Sequence, residues 1–467
     1  MDVNQREQDA HISLMNKQKN HMASTYIASS LAKISYRSLL LPALALSLCV
    51  DAATPVGMKY TITRAENAND TKNAMALPYL FSTETMGLNA GIGGVIQGIG
   101  QEQLVIGGTA WGGEESYGIS AGLWNYRPWF ANRAFISVSG MYAYFPDQRA
   151  YTIGAGSWPN DSPRPGSSGS SQDDYIQGDG FSNWLDFKIE YVLPLGSAKH
   201  SPTAHYHLRN GLLTDAPSST YWNPLETGST VLLLRQFNRY QSYTNPGEAK
   251  QDGDMNAFEL GIQYDNTDFS PNPSMGSRQY IGYSYEGTLI SQDSKWDFVE
   301  LDMSKYISIG ESNWALQRII ALNFWTGYSP SWKVTSVDSQ NSQVENAPPY
   351  NEGATLGGLY RMRGFDSNRF HDKASLYATA EYRYTLRHNP IKEVSWLRFL
   401  NIDWFQLVAF AEAGQVAPSY DLGELTSDMK LDGGVAVRAL AAGLVVRLDY
   451  AMSEEGSYMW FMVNQPF

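Results

Sequence analysis

Along much of the chain apolar residues alternate with polar ones, with the period of two that a half-buried strand requires. Leu185, Phe187, Ile189, Tyr191 and Leu193 alternate with Trp184, Asp186, Lys188 and Glu190. Phe258, Leu260, Ile262 and Tyr264 alternate with Glu259, Gln263 and Asp265. The same holds for Leu376, Ala378, Ala380, Tyr382 and Tyr384 against Thr379, Glu381 and Arg383. Leu444, Val446, Leu448 and Tyr450 repeat it against Arg447 and Asp449. In each stretch the charges share one face. No stretch approaches the ~18 consecutive apolar residues of a membrane helix. A chain with this pattern crosses a bilayer as a β-barrel, apolar side outward and polar side inward.

The pattern predicts strands at 88–97, 102–111, 117–127, 134–145, 149–156, 182–194, 229–241, 255–265, 277–290, 296–308, 314–327, 375–387, 403–414, 429–439, 442–451 and 457–467. Their number, sixteen, is even, as bacterial barrels prefer. With both ends periplasmic, the long polar connections 157–181, 242–254 and 328–374 fall outside the cell. The short connections 309–313 and 439–441 fall inside. Connection 195–228 is long for its periplasmic place and is expected to fold there as a hairpin. Phe467 closes the last stretch with Met459, Phe461 and Val463 on one face, a terminal aromatic of the kind such barrels carry. The expected architecture is all-β: a sixteen-stranded antiparallel transmembrane β-barrel over 88–467, integral to an outer membrane and in contact with its lipid and lipopolysaccharide.

Composition agrees. Charged residues are 17% of the 467, against roughly 25% in soluble domains. Aromatics reach 13%, with 29 Tyr and 13 Trp, residues suited to a membrane interface. A mean hydropathy of −0.34 keeps a soluble β-rich secreted protein as the bland alternative. The net charge of −13 argues against a nucleic-acid partner. Lys33 and Arg37 precede an apolar run from Leu39 to Val50, followed by Asp51-Ala52-Ala53. This is the form of a secretory signal, so 1–52 is expected to be leader and signal peptide, with Met15 or Met22 as alternative starts. Residues 53–87 would then be a short periplasmic segment. The single cysteine, Cys49, falls inside the signal, and bulky Leu48 before it argues against lipidation.

Several motifs fall in order along the second half. Arg361-Met362-Arg363-Gly364-Phe365, preceded by Gly357 and Gly358, lies in the long outer connection, and Glu381 and Arg383 follow on the next strand. Tyr264-Asp265-Asn266-Thr267-Asp268, with Pro271, Pro273 and Gly276, marks an Asp-rich turn. Phe410-Ala411-Glu412-Ala413-Gly414 and Arg447-Leu448-Asp449-Tyr450-Ala451 mark later strands. Together these resemble the bacterial surface antigen family of outer-membrane assembly and secretion barrels typified by BamA and TamA. Met362 stands where the family signature has Val, and Glu412 where it has Asp. The resemblance implies that the outer loop inserts into the lumen and that Arg363 pairs with carboxylates of the wall. Alternation independently turns Glu381, Glu412, Asp449, Asp432 and Arg438 inward. A guanidinium fits such partners because its planar fork grips carboxylates with parallel bonds. Gly364 would let the loop reverse tightly, and Phe365 would pack on the wall.

Gly91, Gly93 and Gly94 weaken the expected first strand, and Pro466, beside Phe467, removes a donor near the end of the last. Two readings stand side by side: a seam able to part, or a close fit to a lumenal loop. Members of the family usually carry periplasmic POTRA domains, and the stretch between signal and first strand is too short for one. The expectation is a stand-alone barrel that relies on a separate periplasmic partner to meet client polypeptides. Catalysis finds little in the residues: His371-Asp372 lacks a nucleophile tied to it, and no phosphate loop, metal cluster or cysteine pair is present. No cofactor or metal is expected. Three functions compete: a barrel that assists polypeptides into or across the outer membrane, a passive pore or structural surface antigen, and a lipid-active enzyme.

Overall fold

The alternating stretches are strands in the computed structural model, which describes residues 57–64, 73–83, 87–154, 156–215, 221–244, 251–287, 295–394, 400–441 and 443–467. The expected leader and signal peptide, 1–52, lie outside these residues. In chain order the first strands are β1 (Lys59–Arg64), β2 (Asn73–Thr83), β3 (Gly87–Gln97), β4 (Val105–Gly113), β5 (Tyr117–Tyr126), β6 (Ala134–Ala150), β7 (Trp158–Pro159) and β8 (Ile176–Val192). Then come β9 (Thr203–Arg209), β10 (Leu212–Leu213), β11 (Ser229–Tyr243), β12 (Gln251–Asp265), β13 (Gly276–Glu286), β14 (Trp296–Ser308) and β15 (Ala315–Tyr328). The outer loop holds β16 (Lys333–Ser336), β17 (Asn341–Glu345), β18 (Thr355–Leu356) and β19 (Phe370–His371). The last are β20 (Ala374–Leu386), β21 (Ile402–Ala417), β22 (Lys430–Ala441), β23 (Leu444–Ser453) and β24 (Ser457–Val463).

One sheet of sixteen strands runs β2-β3-β4-β5-β6-β8-β11-β12-β13-β14-β15-β20-β21-β22-β23-β24, each pair antiparallel. Outward residues such as Leu185, Leu260, Ile281 and Leu407 are exposed, while inward charges such as Arg235, Glu381 and Asp449 are buried. That is the inside-out pattern of a membrane barrel. No ladder joins β2 to β24 among the described residues, so the barrel is unclosed along that seam.

Two strand expectations are corrected, and they cancel in the count. The sheet begins at β2, so 53–87 contains a barrel strand and the barrel starts before residue 88. Pro78 hides it in the sequence, since proline argues against a strand; here it sits on an edge strand, where a missing donor is tolerated. No separate strand forms at 149–156. Instead β6 runs unbroken to Ala150 and absorbs Pro146 in a bulge between Phe145 and Gln148.

Connection 193–228 folds as the hairpin β9–β10, turned by Asn210 and Gly211, both at positive φ as a tight two-residue turn requires. Strand β1 adds to β9 in parallel, from Lys59 against Thr203 to Arg64 against Leu208. This small sheet lies at the short-turn end of the barrel. Its Ile62 and Leu208 pack with Phe269, Trp404, Leu440 and Val445 of the wall and turns. Arg64 grips Asp403 at 3.0 Å, and Lys59 reaches Glu190 inside the lumen at 2.6 Å. Gln97 of β3 donates to the Tyr60 carbonyl at 3.4 Å. Thus β1 touches staves on both sides of the seam. Replacing Ile62 by Asp would bury an unpaired charge in this cluster. We expect Lys59–Arg64 then to become readily cleaved by protease, while the barrel keeps its heat-modifiable migration in gels. Unchanged protection would mean that the cluster does not hold β1.

Candidate functional site

The connection after β15 returns into the lumen as a long hairpin. Its base is the β18–β19 pair, with Thr355 opposite His371 and Leu356 opposite Phe370. Leu356, Met362, Phe365 and Phe370 are buried against Phe237, Phe298, Trp325 and Tyr377. Phe365 lies 5.1 Å from Phe370, ring to ring. At the tip the chain doubles back: Met362 adopts φ 56°, and the Phe365 amide donates to the Met362 carbonyl at 3.1 Å. Gly364 presses on the wall, where a Cβ would meet Asp432 Cβ at 2.6 Å and the Met452 backbone at 2.9 Å. Only glycine permits this approach.

The turn drives Arg363 into the C-terminal wall. Its Nη1 lies 2.7 Å from Asp449 on β23, its Nη2 3.0 Å from Glu381 on β20, and its Nε 3.2 Å from Glu412 on β21. The Arg363 amide also donates to Glu412 at 2.6 Å, and the guanidinium stacks over Phe410 at 3.6 Å. All four ionised side chains are fully buried. Burial alone would lower the Arg363 pKa, but Glu412, Glu381 and Asp449 outweigh it and hold the group well above its ordinary value. Arg383 and Arg438 also bind Glu381, at 2.8 and 2.7 Å, and Arg447 binds Asp449. Asp432 stands opposite Glu412 in register; its carboxylate oxygens accept no hydrogen bond among the described residues.

The same tip reaches the edge of the sheet. Trp460 of β24 donates its indole N–H to the Arg363 carbonyl at 2.7 Å, and Ser453 donates to the Gly364 carbonyl at 2.5 Å. Arg361 turns the other way, stacking on Trp325 at 3.9 Å and meeting Asp302 at 3.4 Å, and is half-buried. Sequence reasoning missed Arg369, which is fully buried, bonded to Glu455 at 2.8 Å and to the Ser170 carbonyl at 2.7 Å. It also missed Arg164, which donates to the His371 carbonyl and pairs with Asp372 at 3.3 Å. These join the 151–175 and 329–373 connections to each other. His371 is buried beside Trp332 rather than solvated. Burial and the nearby Arg164 push its pKa well below the usual value.

The expected seam residues are placed differently. Gly91, Gly93 and Gly94 lie on β3, one strand in from the edge, because β2 precedes it. Gly91 is covered by the ring of Tyr79, its partner in register; a Cβ there would meet that ring at 2.4 Å. Pro466 and Phe467 lie beyond the end of β24, so neither belongs to the last strand. The chain turns at Asn464, φ 76°, and enters the lumen. There Gln465 donates to Asn272 of the Asp-rich turn at 2.9 Å, and Phe467 stacks with Tyr306 at 6.3 Å, near Arg383. The tail and Arg361 help enclose a polar lumenal cavity of about 170 Å³, also lined by Lys188, Arg235, Glu259 and Glu300.

The family model described as the Omp85 superfamily domain matches residues 164–457. No curated protein matches the chain. Among solved structures the chain is similar to BamA from Haemophilus ducreyi lacking POTRA domains 1–3, at 14% identity and a TM-score of 0.39, covering 84% of this chain and 68% of that one. It is similar to CdiB from Acinetobacter baumannii, at 12% identity and a TM-score of 0.46, covering 84% and 59%. CdiB from Escherichia coli matches at 8% identity and a TM-score of 0.47, covering 84% and 62%. The chain thus spans about three fifths of either CdiB.

Arg363→Ala would leave Glu412 without an ion-pair partner among the described residues, while Glu381 keeps Arg383 and Arg438 and Asp449 keeps Arg447; it is expected to destabilise the folded barrel by about 3–5 kcal/mol, read from the urea midpoint. Arg363→Lys should recover only part of that, because an ammonium cannot fork to three partners. His371 sets a pH limit on the docked loop. Its folded pKa is depressed, so its contribution is complete above the unfolded value of about 6.5 and is lost as pH falls below it. Protease cleavage within 329–373 should therefore speed up on acidification below about pH 6.5, and His371→Gln should flatten that dependence.

Proposed function

The chain belongs to the Omp85 superfamily, and from that membership we propose that it assists polypeptides into or across the outer membrane, by motion of the inserted loop and the seam. It is an integral outer-membrane β-barrel, and the observation that carries the finer reading is the Trp460–Arg363 bond. Among the described residues strand β24 has a ladder on one side only, so the amides and carbonyls of its other edge are open to another strand. The residue that holds β24 inward is bonded to the loop tip that Arg363 anchors. Withdrawing the loop would release β24, and an arriving segment could then pair with it by strand addition. Client polypeptides are the partners this reading calls for, with a separate periplasmic protein to deliver them. The residues in named roles are Arg363 as anchor, Glu381, Glu412 and Asp449 as its seat, and Trp460 as the link to the edge. No step needs a bond to break, a metal or a cofactor.

Reconstitution in vesicles tests this. One cysteine placed in Asn73–Thr83 and one in Ser457–Val463 would lock the seam when oxidised. Vesicles holding the reduced protein should speed the folding of an added outer-membrane protein, and oxidation should abolish the gain. Equal activity when locked would remove the seam from the mechanism. A steady open conductance in planar bilayers, with no folding assistance, would favour a passive pore instead. Trp460→Phe, which keeps the ring and removes the donor, should raise the frequency of brief openings.

A further inference from the structure

Among the described residues, the bilayer-facing side of the sheet carries one cation that the barrel's own chemistry does not explain. On β14, Val299, Leu301, Met303, Lys305 and Ile307 face outward, against the inward Phe298, Glu300, Asp302, Ser304 and Tyr306. Lys305 is exposed on that outer face and forms no ion pair among the described residues. Other wall cations behave otherwise. Lys188, Arg235, Arg383, Arg438 and Arg447 are buried in the lumen. Arg318, outward on β15, is satisfied by the carbonyls of Ile309, Gly310 and Glu311 in the adjoining turn. Near the periplasmic rim such an ammonium is tolerated with its head among the headgroups, where a counter-charge can meet it from the membrane.

The surroundings of Lys305 fit one such counter-charge. A groove on this face is lined by Lys305, Gln279, Met303, Leu322 and Phe324. Leu322 pairs with Lys305 in register and Phe324 with Met303; Gln279 pairs with Met303 from the other side. Because β14 runs towards the short-turn end, Met303 and Phe324 lie one step deeper in the bilayer than Lys305. Trp222, in the connection before β11, folds over the rim and donates to the Gln279 side-chain oxygen Oε1 at 3.2 Å, which leaves the Gln279 side-chain N–H groups to donate. Trp314 and Ile309, in the turn that joins β14 to β15, are exposed at the rim. The groove is cationic at the periplasmic interface and apolar towards the membrane centre.

We propose that this groove binds one phospholipid of the periplasmic leaflet, its phosphate on the Lys305 ammonium and an acyl chain along Met303, Leu322 and Phe324. The lysine stem lies along apolar surface while its head stays at headgroup level, so both ends of the lipid meet matching chemistry. The ion pair is formed at an interface of low dielectric, where it is stronger than in water. The binding stands apart from any movement of the loop or seam.

The test uses the full chain, purified in mild detergent with added phosphatidylglycerol and examined by native mass spectrometry. The wild type and Lys305→Arg should each retain one phospholipid. Lys305→Gln should weaken retention about tenfold, the worth of one charge-assisted contact. Phe324→Ala should weaken it too, and excess inorganic phosphate should leave the lipid in place, since phosphate alone lacks the acyl contacts. Heat-modifiable migration shows that each variant is folded; removing a charge from the lipid face does not threaten that. Retention of lipid by Lys305→Gln equal to wild type overturns the proposal, as does displacement by inorganic phosphate.

Discussion

A buried guanidinium cannot be left half-paired, and that constraint organises the C-terminal half of the molecule. Arg363 is fully buried, yet its partners stand on three separate strands. Desolvating such a group costs several kcal/mol, recovered only if every partner arrives in good geometry. Strands β20, β21 and β23 must therefore keep their mutual register, and the loop must reach one depth and no other. The contacts form as a set, because a tip seated slightly higher or lower would miss several of its partners at once. Packed interiors behave as bistable elements rather than as springs.

The inserted loop also ties the two halves of the lumen together. Arg239 of β11 pairs with Glu352 of the loop at 3.1 Å and with Asp186 of β8 at 2.6 Å. Arg235 bridges Asp186 and Glu259 at 2.6 and 3.0 Å. One end of the loop is held by the N-terminal staves and its tip by the C-terminal ones. Any spreading of the sheet along its open seam must work against this crossbar. The loop is thus tied to both halves of the wall through named ion pairs.

Much of this was legible because alternation has a strict period. Once Leu376 or Leu444 faces lipid, Glu381 and Asp449 must face the lumen, and a loop arginine with wall carboxylates then suggests a seat. The barrel strands β8, β11 to β15 and β20 to β23 followed from such runs. The misreadings trace to prolines. Pro78 stands in an edge strand and Pro146 in a bulge, two contexts where proline is tolerated but where local pattern gives no sign of it. The tail misled for a different reason: Asn464 takes a left-handed φ, which turns Phe467 inward, and no periodicity announces that. Arg369 and Arg164 were invisible because their partners come from loops without repeat, where contacts depend on the whole fold.

The small sheet below the barrel has a consequence for chronology. Strand β1 stands near the chain's start, yet Thr61 meets His205, 144 positions later, and Ile62 packs on Trp404, Leu440 and Val445. Its neighbours therefore do not exist as a surface until nearly the whole chain is in the membrane. The strand can pair with β9 once the chain has passed residue 209, but its apolar seat is complete only when the last strands are in place. Its full seating therefore reports that the C-terminal staves have formed, as a keystone reports the arch beneath it.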